Sequence, residues 1–422
     1  MNRTLRVTAG VFATSAALLA ASVPAGAVSF KVDAIMKNDL KIHTAPGTPL
    51  VLGGSSFDYP LVLAAETQWN SDIHKSNVLA PDLSNKSGLG RSNMISKAYA
   101  IGFSDFPLNQ VAGSPDVGPG SSNTGLKVSD FAQVPVALGG EAITYHFGTG
   151  ISGSTAALLK KYPLTLSGST LGRIFAGKVT NWDAKEISRE NPHLVSKGKD
   201  LLPNLGIQVM SRTAGSGTTF IFRGYLNRVD HANYPTVDSS NFSAAGSNQF
   251  ANSGLLEQAV QSTNGAIGYV EFGYAIANGS PTISLINKSG KIVSLSEAGI
   301  VQAATVGLKA IIANKGCKGF KTTVLACYEI NNELGKTVYP IAGFSYGMIY
   351  KTQTNKTDAI AEVKFLDFLS HQGGRKSKAT TFGQDLADAN GYAPMPVSIQ
   401  AVARAILLGV KVSGHAVLNA TD

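Results

Sequence analysis

Cysteine is scarce in this sequence, whose 422 residues contain only Cys317 and Cys327. The seven histidines are scattered, and there is no H-E-x-x-H run, no C-x-x-C pair and no cluster of ligand residues. Zinc chemistry and thiol redox chemistry are therefore not indicated, and we expect no metal and no cofactor. The two cysteines are ten residues apart. We expect them to form a structural disulfide, a local staple worth ~2–3 kcal/mol in an oxidising compartment.

Charged residues are also few, at 15%, against a hydrophobic content of 44%. This composition is typical of a globular protein with a large core. The formal net charge is +9, but lysine is scattered and no dense basic run is present. Nucleic-acid binding is therefore not indicated. Beyond the N-terminal segment no stretch is long and apolar enough to cross a bilayer, so no stable membrane insertion is expected.

The first 27 residues have the pattern of a secretory signal peptide. Arg3 and Arg6 precede an apolar run from Val11 to Val23, and Ala25-Gly26-Ala27 is a small-x-small cleavage site. The alternative, a membrane anchor, is less favoured because the run is short and is followed by proline and glycine. The residue directly after the cleavage site is Val28 rather than a cysteine, which argues against a lipoprotein. We expect a mature chain that starts near Val28 and is periplasmic or secreted.

The most informative stretch runs from Ser211 to Phe220. The apolar segment Ile207–Met210 before it predicts a buried strand, and the pattern after it predicts a helix. Between them lie Arg212 and the small residues Gly215, Ser216, Gly217, Thr218 and Thr219. A helix start leaves N–H groups without partners and is electropositive, and arginine adds a planar cationic fork. The segment predicts an anion site. It is not a Walker loop, and an ordinary capped strand-to-helix turn is the alternative.

Two further helix starts carry the same small polar residues. One follows Ser56 and Phe57 and is entered through Pro60, and the other follows a polar turn, Ser84–Gly90, around Ser87. Asp105 ends a predicted strand, Ala100–Leu108. Ligands of open α/β sheets bind outside the carboxyl ends of strands, so these features are expected to converge on one small anion. Each turn taken alone is also explained by helix capping.

Two long strands are predicted on either side of the central region. Phe131–Phe147 is apolar with a break at Gly139-Gly140, and Tyr339–Lys351 is the second. The first is expected to link two lobes. Leu255–Gln261 and Ala359–Leu369 have helical spacing.

With these segments in order, the chain resembles the periplasmic phosphate-binding proteins of Pst-type ABC phosphate transporters and, more loosely, DING-type proteins. The matching stretches are Ser56–Pro60, Gly102–Leu108, Ile174–Trp182, Arg212–Phe220, Gly265–Glu271 and Tyr339–Lys351. The resemblance implies an α/β periplasmic binding protein fold with two lobes and two crossover strands, type II-like. It implies lobe I in residues 28–146 plus 341–422, lobe II in residues 147–340, and a ligand in the cleft between them.

The resemblance also implies the site and the partners. The residues that match the family's phosphate ligands are Ser56, the backbone of Phe57, Ser87, Asp105, Arg212, Ser216, Gly217 and Thr218. Asp105 takes the role of an acceptor for a proton on phosphate, which disfavours sulfate because sulfate has no proton to donate. The expected partners are inorganic phosphate and an ABC transporter permease, and the expected state is a monomer.

The sequence departs from the family pattern in two places. Family members often have an acid two residues after the arginine, where this chain has Ala214, so Arg212 is less constrained or is partnered elsewhere. The run Ser87-Gly88-Leu89-Gly90-Arg91 replaces the usual Ser-Ser-Gly-Gly. Arg91 is expected to be a solvated helix residue, and a second cationic contact to the ligand is the alternative.

Two other functions compete with binding. A secreted DING-like phosphatase needs an activated nucleophile or a metal pair, and the sequence places no base beside Ser216. A surface or adhesion protein that reuses the fold is compatible with the basic charge and long loops. We expect a binding protein that is not an enzyme.

Overall fold

The structure, a computed structural model, describes residues 50–70, 78–79, 86–111, 113–235, 240–242, 248–312, 330–371 and 383–418. The signal peptide, the start of the mature chain near Val28 and the pair Cys317–Cys327 lie outside these residues and stay predictions.

The described residues form a mixed α/β protein. In chain order its strands are β1 (Leu50–Gly53), β2 (Val78–Leu79), β3 (Ile101–Ser104), β4 (Phe131–His146), β5 (Thr165–Ser167), β6 (Val195–Ser196), β7 (Lys199–Asp200), β8 (Gln208–Arg212), β9 (Asn248–Phe250), β10 (Ala266–Glu271), β11 (Ser284–Ile286), β12 (Ile292–Val293), β13 (Ala342–Tyr350), β14 (Thr352–Gln353), β15 (Lys411–Val412) and β16 (His415–Ala416).

Helices alternate with these strands along the chain. They are α1 (Tyr59–Gln68), α2 (Ser87–Ile95), α3 (Gly153–Lys161), α4 (Gly168–Phe175), α5 (Lys185–Glu190), α6 (Gly217–Val229), α7 (Ser253–Ser262), α8 (Phe272–Asn278), α9 (Glu297–Ile312), α10 (Lys356–Ser370) and α11 (Val397–Leu407). Short 3₁₀ turns occur at Val128–Asp130, Pro192–Leu194, Gly383–Asp385 and Asp388–Asn390. In the part of the chain that the structure describes, no helix combines the length and apolarity needed to cross a membrane.

The main sheet has eight strands in the order β2-β1-β3-β13-β4-β10-β8-β9. The strand β4 belongs to both halves of this sheet. Its first ten residues, up to Gly140, pair with β13, whereas Glu141 and the five residues after it pair with β10. The outer strands on each side, β2-β1-β3 and β10-β8-β9, are parallel among themselves. The predicted long strand that links two lobes is confirmed.

The two lobes have separate aromatic clusters. In one, Trp69 makes edge contacts with Phe365 and Phe368 of α10, with ring centroids 5.5 and 5.4 Å apart. In the other, Phe222 of α6 stacks on Tyr269 of β10 at 4.5 Å. Burying such rings contributes a large share of core stability. Both clusters belong to one continuous hydrophobic core.

One predicted boundary is wrong. The segment Ser87–Gly90, predicted as part of a polar turn, is the first turn of α2, which ends at Ile95. The Gly88 N–H donates to the Gly215 carbonyl oxygen at 3.1 Å, a contact between the two lobes. Such a long-range contact is not visible in local sequence and helps to fix where the helix begins.

Candidate functional site

Four helix N-termini meet at the carboxyl ends of the central strands. Three of them, at α1, α2 and α6, are the helix starts predicted from the sequence, and the fourth is the start of α7. The Ser253 hydroxyl at the start of α7 lies 3.3 Å from that of Ser56, which precedes α1 on the opposite lobe. Helix N-termini present unpaired N–H groups and a positive dipole end. The site is therefore built to stabilise negative charge.

Asp105 is the acidic centre of the site and follows the end of β3. Its Oδ1 accepts from the Ser55 hydroxyl at 2.5 Å and its Oδ2 from the Ser87 hydroxyl at 2.9 Å. The side chain is buried, with 4% of its surface exposed. Burial raises the pKa of this carboxyl to about 6, although the serine hydroxyls and the charge of Arg212 oppose the rise.

Arg212 is the basic centre and is fully buried at the end of β8. One terminal nitrogen donates to the hydroxyls of Ser253 at 2.6 Å, Ser56 at 2.9 Å and Thr218 at 3.3 Å. The other donates to the Ala251 carbonyl oxygen at 3.0 Å. The guanidinium therefore has hydrogen-bond partners other than residue 214, which is one of the two alternatives that the sequence left open.

Glu271 stands behind the arginine, at the end of β10. Its Oε1 accepts from the Thr218 hydroxyl at 2.6 Å and from the Ser253 hydroxyl at 2.9 Å. Burial raises the pKa of this carboxyl to about 7, and the charge of Arg212 and these hydroxyls oppose the rise. Sequence reasoning missed both Glu271 and Ser253 as site residues. The signal was present, because each lies where a strand or loop ends and a helix begins.

The remaining predicted residues lie in the same cluster. The Phe57 N–H donates to the Ser55 hydroxyl at 2.9 Å, which in turn bonds Asp105. The Ser216 hydroxyl caps α6 by accepting from the Thr219 N–H at 3.2 Å. Gly217 lies against Asp105. The structure therefore brings all eight predicted residues to one place, from both lobes, and their ligand roles stay a prediction.

The expectation that Arg91 is solvated is wrong, and the alternative, a contact to the ligand, stays a prediction. The side chain is 6% exposed and bonds protein groups. Its Nε donates to Asp116 at 3.0 Å, and its guanidinium carbon lies 3.8 Å from the centroid of the Phe106 ring. Such an ion pair, stacked on an aromatic ring, holds the loop after β3. Arg91 is thus a structural residue beside the site.

The arrangement suits one kind of ligand. It offers the fixed cation Arg212, several hydroxyls, the N–H groups of helix starts and the buried carboxyl of Asp105. Charge-assisted hydrogen bonds of this kind contribute roughly 1.5–3 kcal/mol each. The carboxylate favours an oxyanion that still has a proton to donate to it.

Comparison with known proteins agrees with this geometry. The family model described as PBP superfamily domain matches residues 43–371. The phosphate-binding protein PstS of Haemophilus influenzae is 27% identical over 349 residues, covering 82% of this chain and 88% of that protein. PstS of Methanocaldococcus jannaschii is 28% identical over 315 residues, covering 72% and 74%.

Solved structures share the fold. The high-affinity periplasmic phosphate-binding protein PfluDING, solved with phosphate, superposes with a TM-score of 0.59 at 18% identity, covering 88% of this chain and 98% of that one. The ancestral soluble variant of the human phosphate-binding protein gives a TM-score of 0.59 at 17% identity, covering 87% and 96%. The two-lobed α/β fold predicted from the sequence is confirmed.

Proposed function

The chain belongs to the PBP superfamily, and on that premise we propose that it is an extracytoplasmic binding protein that captures inorganic phosphate for an ABC-type importer. The observation that carries the proposal is that Asp105 and Arg212 are both buried and are hydrogen-bonded to serine hydroxyls, which come from both lobes. Relatives named phosphate-binding protein PstS support it.

In this proposal Arg212 and the helix starts hold the phosphate oxygens. The ligands are Ser56, Phe57, Ser87, Arg212, Ser216, Gly217 and Thr218, and Asp105 accepts a phosphate proton. The hydroxyls of Ser56 and Ser87 bond Arg212 and Asp105 in this structure and turn toward the anion when it binds, whereas Thr218 binds it through its N–H and keeps its hydroxyl on Glu271. Hydroxyl rotation makes this inexpensive.

The proposal extends to the lobes and the partners. We assign residues 28–146 plus 341–422 to one lobe and 147–340 to the other, with the phosphate in the cleft. The change of strand partner after Gly140 and the start of β13 at Ala342 support a division into two lobes with two crossovers near these positions. We further propose a monomer, exported through its signal peptide, that delivers phosphate to a membrane permease.

Calorimetric titration with phosphate and with sulfate tests the proposal, together with p-nitrophenyl phosphate turnover. We expect saturable phosphate binding, much weaker sulfate binding and no turnover. If the protein hydrolyses p-nitrophenyl phosphate and Ser216→Ala abolishes this activity, the phosphatase alternative is supported instead. Neither binding nor turnover would favour a surface or adhesion role and would overturn the proposal.

A further inference from the structure

Two buried glutamates face each other at the boundary between the lobes. Glu141 of β4 is the cross-strand partner of Glu271 of β10, at the residue where β4 leaves β13. Their side chains are 0% and 1% exposed. Side chains of directly opposed residues share one face, with Cβ atoms about 4.5–5.5 Å apart. Two like charges at such a short distance in a buried site are strongly disfavoured, so at most one of the two carboxyls is ionised.

The surroundings of the two carboxyls are unequal. Glu271 Oε1 receives two hydroxyl hydrogen bonds, from Thr218 and Ser253. Within the described residues, both oxygens of Glu141 and the Oε2 of Glu271 have no hydrogen-bond partner. Donated hydrogen bonds stabilise the ionised form of a carboxyl, and burial without them stabilises the neutral form. The negative charge therefore belongs on Glu271 and the proton on Glu141.

The charge on Glu271 reaches Arg212 through two hydroxyls. Ser253 and Thr218 each donate their hydroxyl hydrogen to Glu271, so each presents lone pairs to the guanidinium. With Glu271 neutral its Oε1 still accepts, but without the negative charge it holds and orients these hydroxyls more weakly. With Glu141 also ionised, a second negative charge stands behind the anion site.

We propose that the Glu141–Glu271 pair holds one proton and one negative charge, and that this single charge positions Arg212 to bind the anion. The proposal rests on the proposed phosphate function. Glu271 is a positioning residue that acts through Ser253 and Thr218, and Glu141 is the proton holder that keeps the charge at one.

Other titratable groups surround the pair and share its electrostatics. Burial first, and then the charges of Glu271 and Asp105, raise the pKa of Glu141 well above its usual range, and Arg212 opposes the rise. The further groups that interact with Glu141 or Glu271 are Asp58, Tyr269, Tyr274, Tyr339 and Tyr392. Arg212 is the cation among these groups, and Asp105 adds a negative charge above its pKa of about 6, which further disfavours a second charge on the pair.

Infrared difference spectroscopy of the purified protein without phosphate tests where the proton is. At about pH 8.5, above the pKa of about 7 of Glu271, wild type minus Glu141→Gln should show a protonated-carboxyl band, and wild type minus Glu271→Gln should show only a carboxylate band. A protonated band in neither difference, or in the Glu271→Gln difference, would overturn the assignment. This result does not depend on which ligand the protein binds.

Calorimetric titration with inorganic phosphate then tests the positioning role. Glu271→Gln should weaken binding by about tenfold or more at neutral pH. At an alkaline pH where Glu141 of the wild type ionises, Glu141→Gln should bind about tenfold more tightly than wild type, because it cannot acquire the second charge. Glu362→Gln removes a buried carboxyl from α10, and its profile should match that of wild type.

The two arms separate the possible failures. If wild type binds no phosphate, the proposed function fails, and the infrared result alone still decides how the pair is charged. If wild type binds phosphate but Glu141→Gln and Glu271→Gln share one pH profile, the division of roles between the two glutamates is wrong.

Discussion

Gly217 lies directly against the carboxylate of Asp105. A Cβ at position 217 would be 2.1 Å from Asp105 Oδ2 and 2.3 Å from the Ser87 hydroxyl. Both distances are far shorter than van der Waals contact, and the two neighbours are buried side chains that we propose to bind the phosphate. Glycine is therefore required here for close approach, at the first residue of α6.

We expect Gly217→Ala to weaken phosphate binding by about 100-fold, because a shift of the helix start by even 1 Å misplaces its N–H groups. Isothermal titration calorimetry measures the loss. Gly254→Ala is the matched control, since Gly254 also lies in the first turn of a site helix but its Cβ would be 3.5 Å from the nearest atom. Equal affinities for the two variants would contradict the close-approach argument.

Replacing Arg212 by lysine tests whether the site needs a fork or only a charge. The guanidinium bonds three hydroxyls through one nitrogen and a carbonyl through the other. A single ammonium cannot reproduce this geometry, so Arg212→Lys should lose about 100-fold in phosphate affinity and Arg212→Ala more.

A matched control for this change is Arg173→Lys, an exposed arginine that pairs with Glu186. We expect the control to bind phosphate as wild type does. Affinity within about threefold of wild type for Arg212→Lys would mean that charge alone suffices at this position.

Much of the site could be predicted because its signals are local. A serine that caps the helix after it, as Ser216 does through the Thr219 N–H, is recognisable within four residues. The strand-end rule placed Asp105 correctly. The long strand β4 was predicted from its apolar run, and its glycine break marks the point where it changes partner.

The missed residues depend on contacts between distant segments. Arg91 is buried because Asp116, 25 residues later, returns to pair with it. Glu141 lies opposite Glu271 only because β4 pairs with β10, a strand more than 100 residues away in the sequence. Periodicity and capping rules carry no information about such pairings.

Asp105 should make sulfate binding depend on pH. Its pKa is raised to about 6, so the side chain is neutral below that pH and a carboxylate above it. The carboxylate repels sulfate, whereas phosphate can donate a proton to it. Sulfate affinity should therefore rise as the pH falls through about 6, and Asp105→Asn should bind sulfate about tenfold more tightly than wild type near pH 8.

Competition titrations with sulfate at several pH values measure this effect. Asp358→Asn, in the first turn of α10, removes a carboxyl away from the site and is the control. A sulfate affinity that is independent of pH in wild type would show that Asp105 is not the selecting group.

Glu362 should reduce the stability of the protein as the pH rises. Burial, and then the charge of Asp358, raise the pKa of this carboxyl to about 8, and a hydrogen bond from Gln353 opposes the rise. As the pH rises, Glu362 of the unfolded chain loses its proton near its usual pKa of 4.5, whereas in the folded protein it keeps the proton until about pH 8. The contribution of Glu362 to the free energy of unfolding should be greatest below about pH 4.5. It should fall by up to ~1.4 kcal/mol per pH unit until about pH 8.

Thermal unfolding without phosphate at intervals from about pH 5 to pH 9 measures this dependence. Glu362→Gln cannot ionise and should flatten the decline, with the largest gain over wild type near pH 8. The exposed Glu186 has a lowered pKa, so Glu186→Gln should leave the decline as it is in wild type. If wild type and Glu362→Gln keep a constant difference in midpoint temperature across this range, the buried carboxyl is not the group that titrates.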